Sequence, residues 1–150
     1  IPLNTWQHIV ISYDGSQAAA GFNMYINNQL LNTTNGLATI QLVGSYGPVY
    51  AGVSELFLAR SSGSSYSLIH LDEFILYKKV IDANLVNHIY NNGITGNPNI
   101  SPYATNDMIA FYRMGDGAIF PAIPNEAPAY SLASQMINMD ASDFVTDTPT

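Results

Sequence analysis

The chain has 150 residues, of which 4 are basic and 11 acidic, so its formal net charge is −7; 47% of the residues are hydrophobic and 10% are charged. This composition excludes a disordered tail, which would be poor in apolar residues, and it argues against a nucleic-acid binder, which needs clustered Lys and Arg. No apolar run approaches the ~18–20 residues that span a bilayer, so we expect no membrane insertion. Cysteine is absent, which excludes disulfides and thiolate zinc sites.

The first half of the chain is typical of short β-strands separated by turns. Residues 6–13 are rich in β-branched and aromatic side chains and stop at Asp14-Gly15, so they predict a strand. Its apolar residues fall on both pleat faces, which predicts a central strand covered on both sides. Asn27-Asn28 between two β-prone runs favours a two-residue hairpin turn, because Asn tolerates positive φ. The sequence predicts further strands at residues 37–43, 53–59 and 69–77.

One segment predicts a helix, and the last third of the chain has a different composition. Asp82 can cap a helix over residues 83–91, in which Leu85 and Ile89 share a face, and Gly93 follows as a stop signal. From residue 95 onward the chain holds six of its eight prolines and one clear strand, at residues 108–114. We expect a single domain whose remaining tail packs as an extended strap.

Three stretches together resemble the laminin G-like domains of the concanavalin A-like lectin/glucanase superfamily. They are Trp-Gln-His-Ile-Val-Ile-Ser-Tyr-Asp-Gly at residues 6–15, Met-Tyr-Ile-Asn-Asn at 24–28, and Leu-Asp-Glu-Phe-Ile-Leu-Tyr at 71–77, the last followed by the helix. The resemblance covers roughly residues 3–93. It implies an all-β, antiparallel jelly-roll β-sandwich with one short helix: a partial domain at residues 1–95, then a strand at about 108–114 and a Pro-rich tail over 96–150.

The chain departs from this family in ways that bear on assembly. The hairpin has Asn27-Asn28 where the family has Asp-Gly, and the strands that should precede Trp6 are missing, which would leave sheet edges unpaired. Residues 108–117 resemble the strand that opens many such domains, so they could fill the gap from the C-terminal side. Chain upstream of Ile1, or a strand from a neighbouring subunit, could also fill it. The Tyr-Arg-Met-Gly-Asp-Gly tail further resembles phage and marine-virus structural proteins.

The residues give little support to catalysis. A glycoside hydrolase of this superfamily would carry two carboxylates on one face, usually in an E-x-D-x-x-E strand, and this motif is absent. Asp72 and Glu73 are adjacent, so on a strand they would point to opposite faces. No nucleophile elbow or metal-ligand His spacing occurs, and we interpret His8, His70 and His88 as structural residues. We therefore expect a protein that is not an enzyme and needs no cofactor.

Two kinds of binding site remain as candidates. The resemblance implies a structural calcium ion, for which it nominates Asp72, and Asp14 is a second candidate; each carboxylate has an ordinary alternative role in a turn or as a cap. Sugar binding would use exposed aromatic rings, for which Tyr46, Tyr50 and Tyr66 in expected loops are the candidates, although Tyr is equally common at protein interfaces.

The leading hypothesis is a non-enzymatic structural protein of a virion or extracellular surface, such as a capsid decoration, fibre or adhesin module. Its partners would be other copies or other structural proteins of the same assembly. The predicted assembly contacts are the apolar residues of the strap: Phe111, Met114, Met136, Met139 and Phe144. The second hypothesis is a monomeric, lectin-like carbohydrate-binding module, and the third is a degenerate or partial glycanase.

Overall fold

The structure is a computed structural model. It describes residues 2–31, 56, 58–59, 67–93, 106–114, 119, 122–128, 134–135 and 142. The predicted strand at residues 37–43 and most of the one at 53–59 lie outside these ranges.

The described elements are mostly strands in antiparallel sheets, joined by one short helix. In chain order they are β1 (Ile9–Tyr13), a 3₁₀ turn (Ala19–Gly21), β2 (Phe22–Ile26), β3 (Gln29–Leu30), β4 (Phe74–Tyr77), α1 (Ala83–Gly93), β5 (Met108–Tyr112), β6 (Ala122–Ile123) and β7 (Ser134–Gln135). The sheets are β1-β2-β3, β4-β5 and β6-β7. Among the described residues, no helix is both long and apolar enough to cross a membrane. The predicted antiparallel, β-rich architecture with a short helix is confirmed.

The hairpin between β2 and β3 forms where the sequence predicts it. Ile26 pairs with Gln29, and the two intervening residues, Asn27 and Asn28, have φ values of 49° and 65°. Both are therefore left-handed, as a type I′ turn requires, and Asn is among the residues that adopt this conformation most readily. The Asn27 side chain also accepts a hydrogen bond from the His8 backbone N–H at 3.0 Å, which ties the turn to the start of β1.

Among the described strands, β1 is not in the predicted central position. β1 lies at the end of its sheet, beside β2. One of its faces is covered: Ser12 is buried and its Oγ accepts a hydrogen bond from the Ile81 N–H at 3.2 Å. The opposite face is open, with Ile9 46% and Ile11 57% exposed. Apolar residues on both pleat faces thus do not show that both faces are covered within the chain.

The predicted strand over residues 69–77 is correct only in its second half. β4 begins at Phe74, and residues 69–73 form no strand. Glu73 has a φ of 53°, a left-handed conformation that a non-glycine residue adopts only as an isolated break. The strand therefore cannot extend through Glu73, and Ile69 and Leu71 lie exposed before it.

The helix packs β4 and β5 into a common core. Asp82 caps α1 as predicted, because its Oδ1 accepts a hydrogen bond from the Leu85 N–H at 2.9 Å, and the helix continues two residues beyond the predicted end at residue 91. The core cluster contains residues from both halves of the chain: Tyr77, Leu85, Ile89, Met108, Phe111 and Ala127, with Ile75 and Ile81 packed against it.

One predicted assembly contact, Phe111, lies in this core. It is 4% exposed and belongs to the chain's own core cluster. The reason is its position on β5, which is the predicted strand at 108–114, ending at Tyr112 and pairing with β4 through Ile75. Met114 follows β5 with a φ of 45° and is half-buried.

The outer edge of β5 is closed by a side chain rather than by a regular strand. The Asn125 carboxamide donates from Nδ2 to the Ile109 carbonyl at 3.0 Å and accepts at Oδ1 from the Phe111 N–H at 2.9 Å. The Glu126 N–H donates to the Phe111 carbonyl at 2.9 Å. Asn125 therefore pairs with β5 as a peptide group of a neighbouring strand would, and a segment of the last third completes this sheet edge.

Candidate interaction surface

The two candidate calcium ligands have local hydrogen-bonding roles. The Asp14 carboxylate is exposed and its Oδ1 accepts a hydrogen bond from the Ser16 N–H at 2.8 Å. Hydrogen bonds from the side chain and backbone of Ser16 hold the pKa of Asp14 below its ordinary value. Gly21 lies directly against this carboxylate, where a Cβ would overlap Oδ1. Asp14 thus organises the turn that leads into the 3₁₀ segment.

The Asp72 carboxylate forms a hydrogen bond with the next residue of the chain. Its Oδ1 accepts a hydrogen bond from the Glu73 N–H at 3.0 Å. Glu73 in turn forms an ion pair with Arg113, with 3.5 Å between Oε1 and Nε and both side chains mostly buried. This ion pair joins the residue before β4 to the residue after β5, so it links the two strands at one end of the pair.

Calcium binding at Asp14 or Asp72 would need further oxygen ligands. A calcium ion takes six to eight oxygen ligands. In the part of the chain that the structure describes, no three His, Asp or Glu side chains are grouped so that they could hold a metal ion.

Several predicted residues lie outside the described part of the chain. They are Tyr46, Tyr50 and Tyr66 of the candidate sugar site, and Met136, Met139 and Phe144 of the candidate assembly strap.

The three histidines occupy different elements. The His8 ring packs against Tyr90 of α1, with 5.6 Å between ring centroids. Its Nδ1 is buried without a hydrogen-bond partner, and desolvation by burial lowers the pKa of His8. The His70 ring lies 6.3 Å from that of Trp6, and His88 is on α1. His8 thus belongs to the junction between the hairpin and the helix, where a neutral imidazole is favoured.

The structure also reveals an apolar surface on the β1-β2 pair, which we call the hairpin face. The antiparallel register places apolar residues opposite one another on this face: Ile9 with Ile26, Ile11 with Met24, and Tyr13 with Phe22.

Much of the hairpin face is accessible to solvent. Ile9 is 46%, Ile11 57% and Phe22 37% exposed. The rings of Tyr13 and Phe22 lie 5.5 Å apart, so the surface is ordered by cross-strand contacts and is not a set of unrelated side chains. The sequence contains the signal for this face, since its residues alternate along both strands, but it does not show that the face is left open.

A second surface feature, which we call the amide cluster, joins the hairpin turn to the helix. Asn87 Oδ1 accepts hydrogen bonds from Asn28 Nδ2 at 2.7 Å and from Asn91 Nδ2 at 2.9 Å. Asn87 and Asn91 are exposed, Asn28 is half-buried, and Tyr90 is the helix residue that precedes Asn91. Because Asn28 and Asn87 are 59 residues apart, no local pattern in the sequence could have indicated this cluster.

Comparisons of the chain with protein-family models, with curated protein sequences and with solved structures found no match.

Proposed function

We propose that this protein is a non-enzymatic structural component of a virion or an extracellular surface, and that it acts through protein-protein assembly. The observation that carries the proposal is the hairpin face. Exposed apolar area is unfavourable at about 25 cal/mol per Å², and a contiguous ordered patch of this kind marks an interaction site more often than scattered single residues do.

The proposed fold is the laminin G-like jelly roll. Three described features support it: the hairpin at residues 22–30, the succession of β4 and α1 after it, and the pairing of β4 with β5. In such a fold the strand from the C-terminal third would take the place of the missing early strands, as in a permuted domain.

The assembly proposal is tested by the size of the protein in solution. Sedimentation velocity over a broad concentration series should show multimers for the unmodified chain. Phe22→Ser should weaken assembly about tenfold or more, because it removes an exposed ring from the hairpin face. Leu3→Ser is the matched control, since Leu3 is 90% exposed and lies outside that face. A chain that is monomeric throughout, or equal losses in both variants, would refute the proposal.

The alternative function is a lectin-like module that recognises surface glycans, and the amide cluster favours it. Amides hydrogen-bond to hydroxyl groups as both donors and acceptors, and the neighbouring Tyr90 ring could pack against a sugar. A glycan array should then show binding that Asn87→Ala abolishes and that Asn84→Ala, on an exposed helix position, leaves intact. Binding that depends only on Tyr46, Tyr50 or Tyr66 would place the sugar site elsewhere, and no binding at all would remove this alternative.

A further inference from the structure

The backbone groups of β1 alternate between two directions. His8 and Asp14 flank β1, and their backbone groups bond toward β2. The Asn27 N–H donates to the His8 carbonyl at 2.9 Å, and the Asp14 N–H donates to the Gly21 carbonyl at 3.1 Å. In an antiparallel ladder every second residue bonds to the same neighbour. The N–H and C=O groups of Ile9, Ile11 and Tyr13 therefore point away from β2, along the outer edge of β1.

This outer edge is open in the described structure. Across residues 2–31, 67–93 and the shorter described segments, no strand pairs with β1 on that side. The edge of β5 provides a contrast within the same molecule, because there Asn125 and Glu126 bond the Ile109 carbonyl and both backbone groups of Phe111. Among the described residues, the edge of β5 is thus covered by side-chain and backbone groups of the chain, whereas no described strand covers the outer edge of β1.

The open edge also lacks the features that prevent strand addition. Exposed edges in monomeric proteins are usually protected by Lys, Pro or a β-bulge. β1 has the sequence Ile-Val-Ile-Ser-Tyr and pairs with β2 in continuous register. No charged residue occurs before Asp14, in a chain whose net charge is −7. This edge is therefore a place where two copies can approach with little electrostatic repulsion.

We propose that two copies of this chain pair through β1, antiparallel and edge to edge, with a twofold axis at Ile11. This register places Ile11 opposite Ile11 of the second copy and Ile9 opposite Tyr13, so the residues whose backbone groups point outward meet apolar residues, and Val10 meets Ser12 on the other face. Such pairing is isologous, as most dimers are, and joins the two β1-β2-β3 sheets into one. The inference rests on the proposed assembly function and identifies its partner as a second copy.

The twofold axis allows a charge-swap test. In Ile11→Lys, and equally in Ile11→Glu, the dimer would place like charges opposite each other at the axis. Each variant alone should therefore dimerise at least about tenfold more weakly than the unmodified chain, because like charges placed opposite each other repel. An equimolar mixture of the two should recover dimers, all of them heterodimers. Because Ile11 is 57% exposed, both variants should stay folded, and circular dichroism checks this.

Matched variants at Phe22 separate the edge from the hairpin face. Phe22 is on the inner strand β2, so Phe22→Lys mixed with Phe22→Glu should not restore dimers through a β1 axis. Recovery in the Ile11 mixture alone supports edge pairing. If Phe22→Ser weakens assembly and the Ile11 mixture gives no heterodimer, the edge inference fails and the assembly function stands. If the unmodified chain is a monomer whose Ile11 amide resists hydrogen exchange, both the edge inference and the assembly function fail, because the chain then covers the edge of β1 itself.

Discussion

Replacing Asn125 tests whether the last third of the chain completes the β4-β5 sheet. Its carboxamide makes three hydrogen bonds to backbone groups: to the Ile109 carbonyl at 3.0 Å, from the Phe111 N–H at 2.9 Å, and from the Ala127 N–H at 3.0 Å. Phe111 and Ala127 both belong to the core cluster. Asn125→Ala would therefore remove the partners of backbone groups that lie where water has poor access.

The expected loss follows from the number and burial of these bonds. A hydrogen bond contributes about 0.5–1.5 kcal/mol net, and a buried group left without a partner is penalised by about 1–3 kcal/mol. We expect Asn125→Ala to lower the free energy of unfolding by about 2–4 kcal/mol, a large part of the ~5–15 kcal/mol typical of domains. Asn125→Asp keeps the acceptor for Phe111 and Ala127 but places a carboxylate oxygen against the Ile109 carbonyl, so it should also be destabilising.

Urea unfolding followed by far-ultraviolet circular dichroism measures this difference, provided that the slope with denaturant is unchanged. Asn84→Ala is the control, because Asn84 is exposed on α1 and its replacement should change the free energy by no more than about 0.5–0.7 kcal/mol. If Asn125→Ala and Asn84→Ala unfold at the same urea concentration, Asn125 does not close the edge of β5 and the argument is refuted.

Three further predictions concern the core, the turn and the hairpin-helix junction. Met108 is fully buried, so Met108→Ala should lower stability by about 2–5 kcal/mol, whereas Ile119→Ala, at a site 81% exposed, should have little effect in the same urea titration. Asn28 has a φ of 65°, so Asn28→Ala should be about 1 kcal/mol less stable than Asn28→Gly; both lose the bond to Asn87, and equal melting temperatures would contradict the left-handed turn. Burial lowers the pKa of His8 below 6.5 in the folded chain, so the unfolded chain binds more protons and stability should fall as the pH drops from 6.5 through the folded pKa. His8→Phe keeps the contact with Tyr90 and should reduce this loss; an unchanged pH dependence would exclude His8 as its source.

The elements that the sequence predicts correctly are those determined by neighbouring residues. The turn at Asn27-Asn28 depends on the positive φ that Asn tolerates, and the start of α1 depends on the Asp82 carboxylate reaching the N–H three residues ahead. Both causes operate within a few residues. The same locality explains the error at residues 69–73, where β-prone side chains favour a strand but Glu73 adopts a left-handed backbone that no local pattern indicates.

The features that the sequence does not reveal depend on contacts between distant segments. Asn125 reaches Phe111 across 14 residues, and Ser12 meets Ile81 across 69. Nor does the pattern of β1 show which of its faces is open, because a strand buried on both sides and a strand awaiting a partner have similar apolar sequences. The roles of the candidate site residues are likewise not evident from the sequence. Asp14 and Asp72 are acidic residues before or within turns, and only the structure shows their hydrogen bonds to Ser16 and Glu73.

The composition of β1 bears on the choice between an assembly protein and a monomeric binding module. A monomer that displayed an edge of Ile9, Ile11 and Tyr13 would be exposed to uncontrolled strand addition, which natural monomers avoid with a charge or a proline. A chain with 11 acidic residues has ample means to protect that strand, yet none of its charges is on β1. A second copy paired at this edge removes this conflict, because the pairing satisfies the outward-pointing backbone groups of β1. Ile11→Lys should therefore shift an assembling chain towards the monomer, whereas in a natural monomer it would leave the size in solution unchanged.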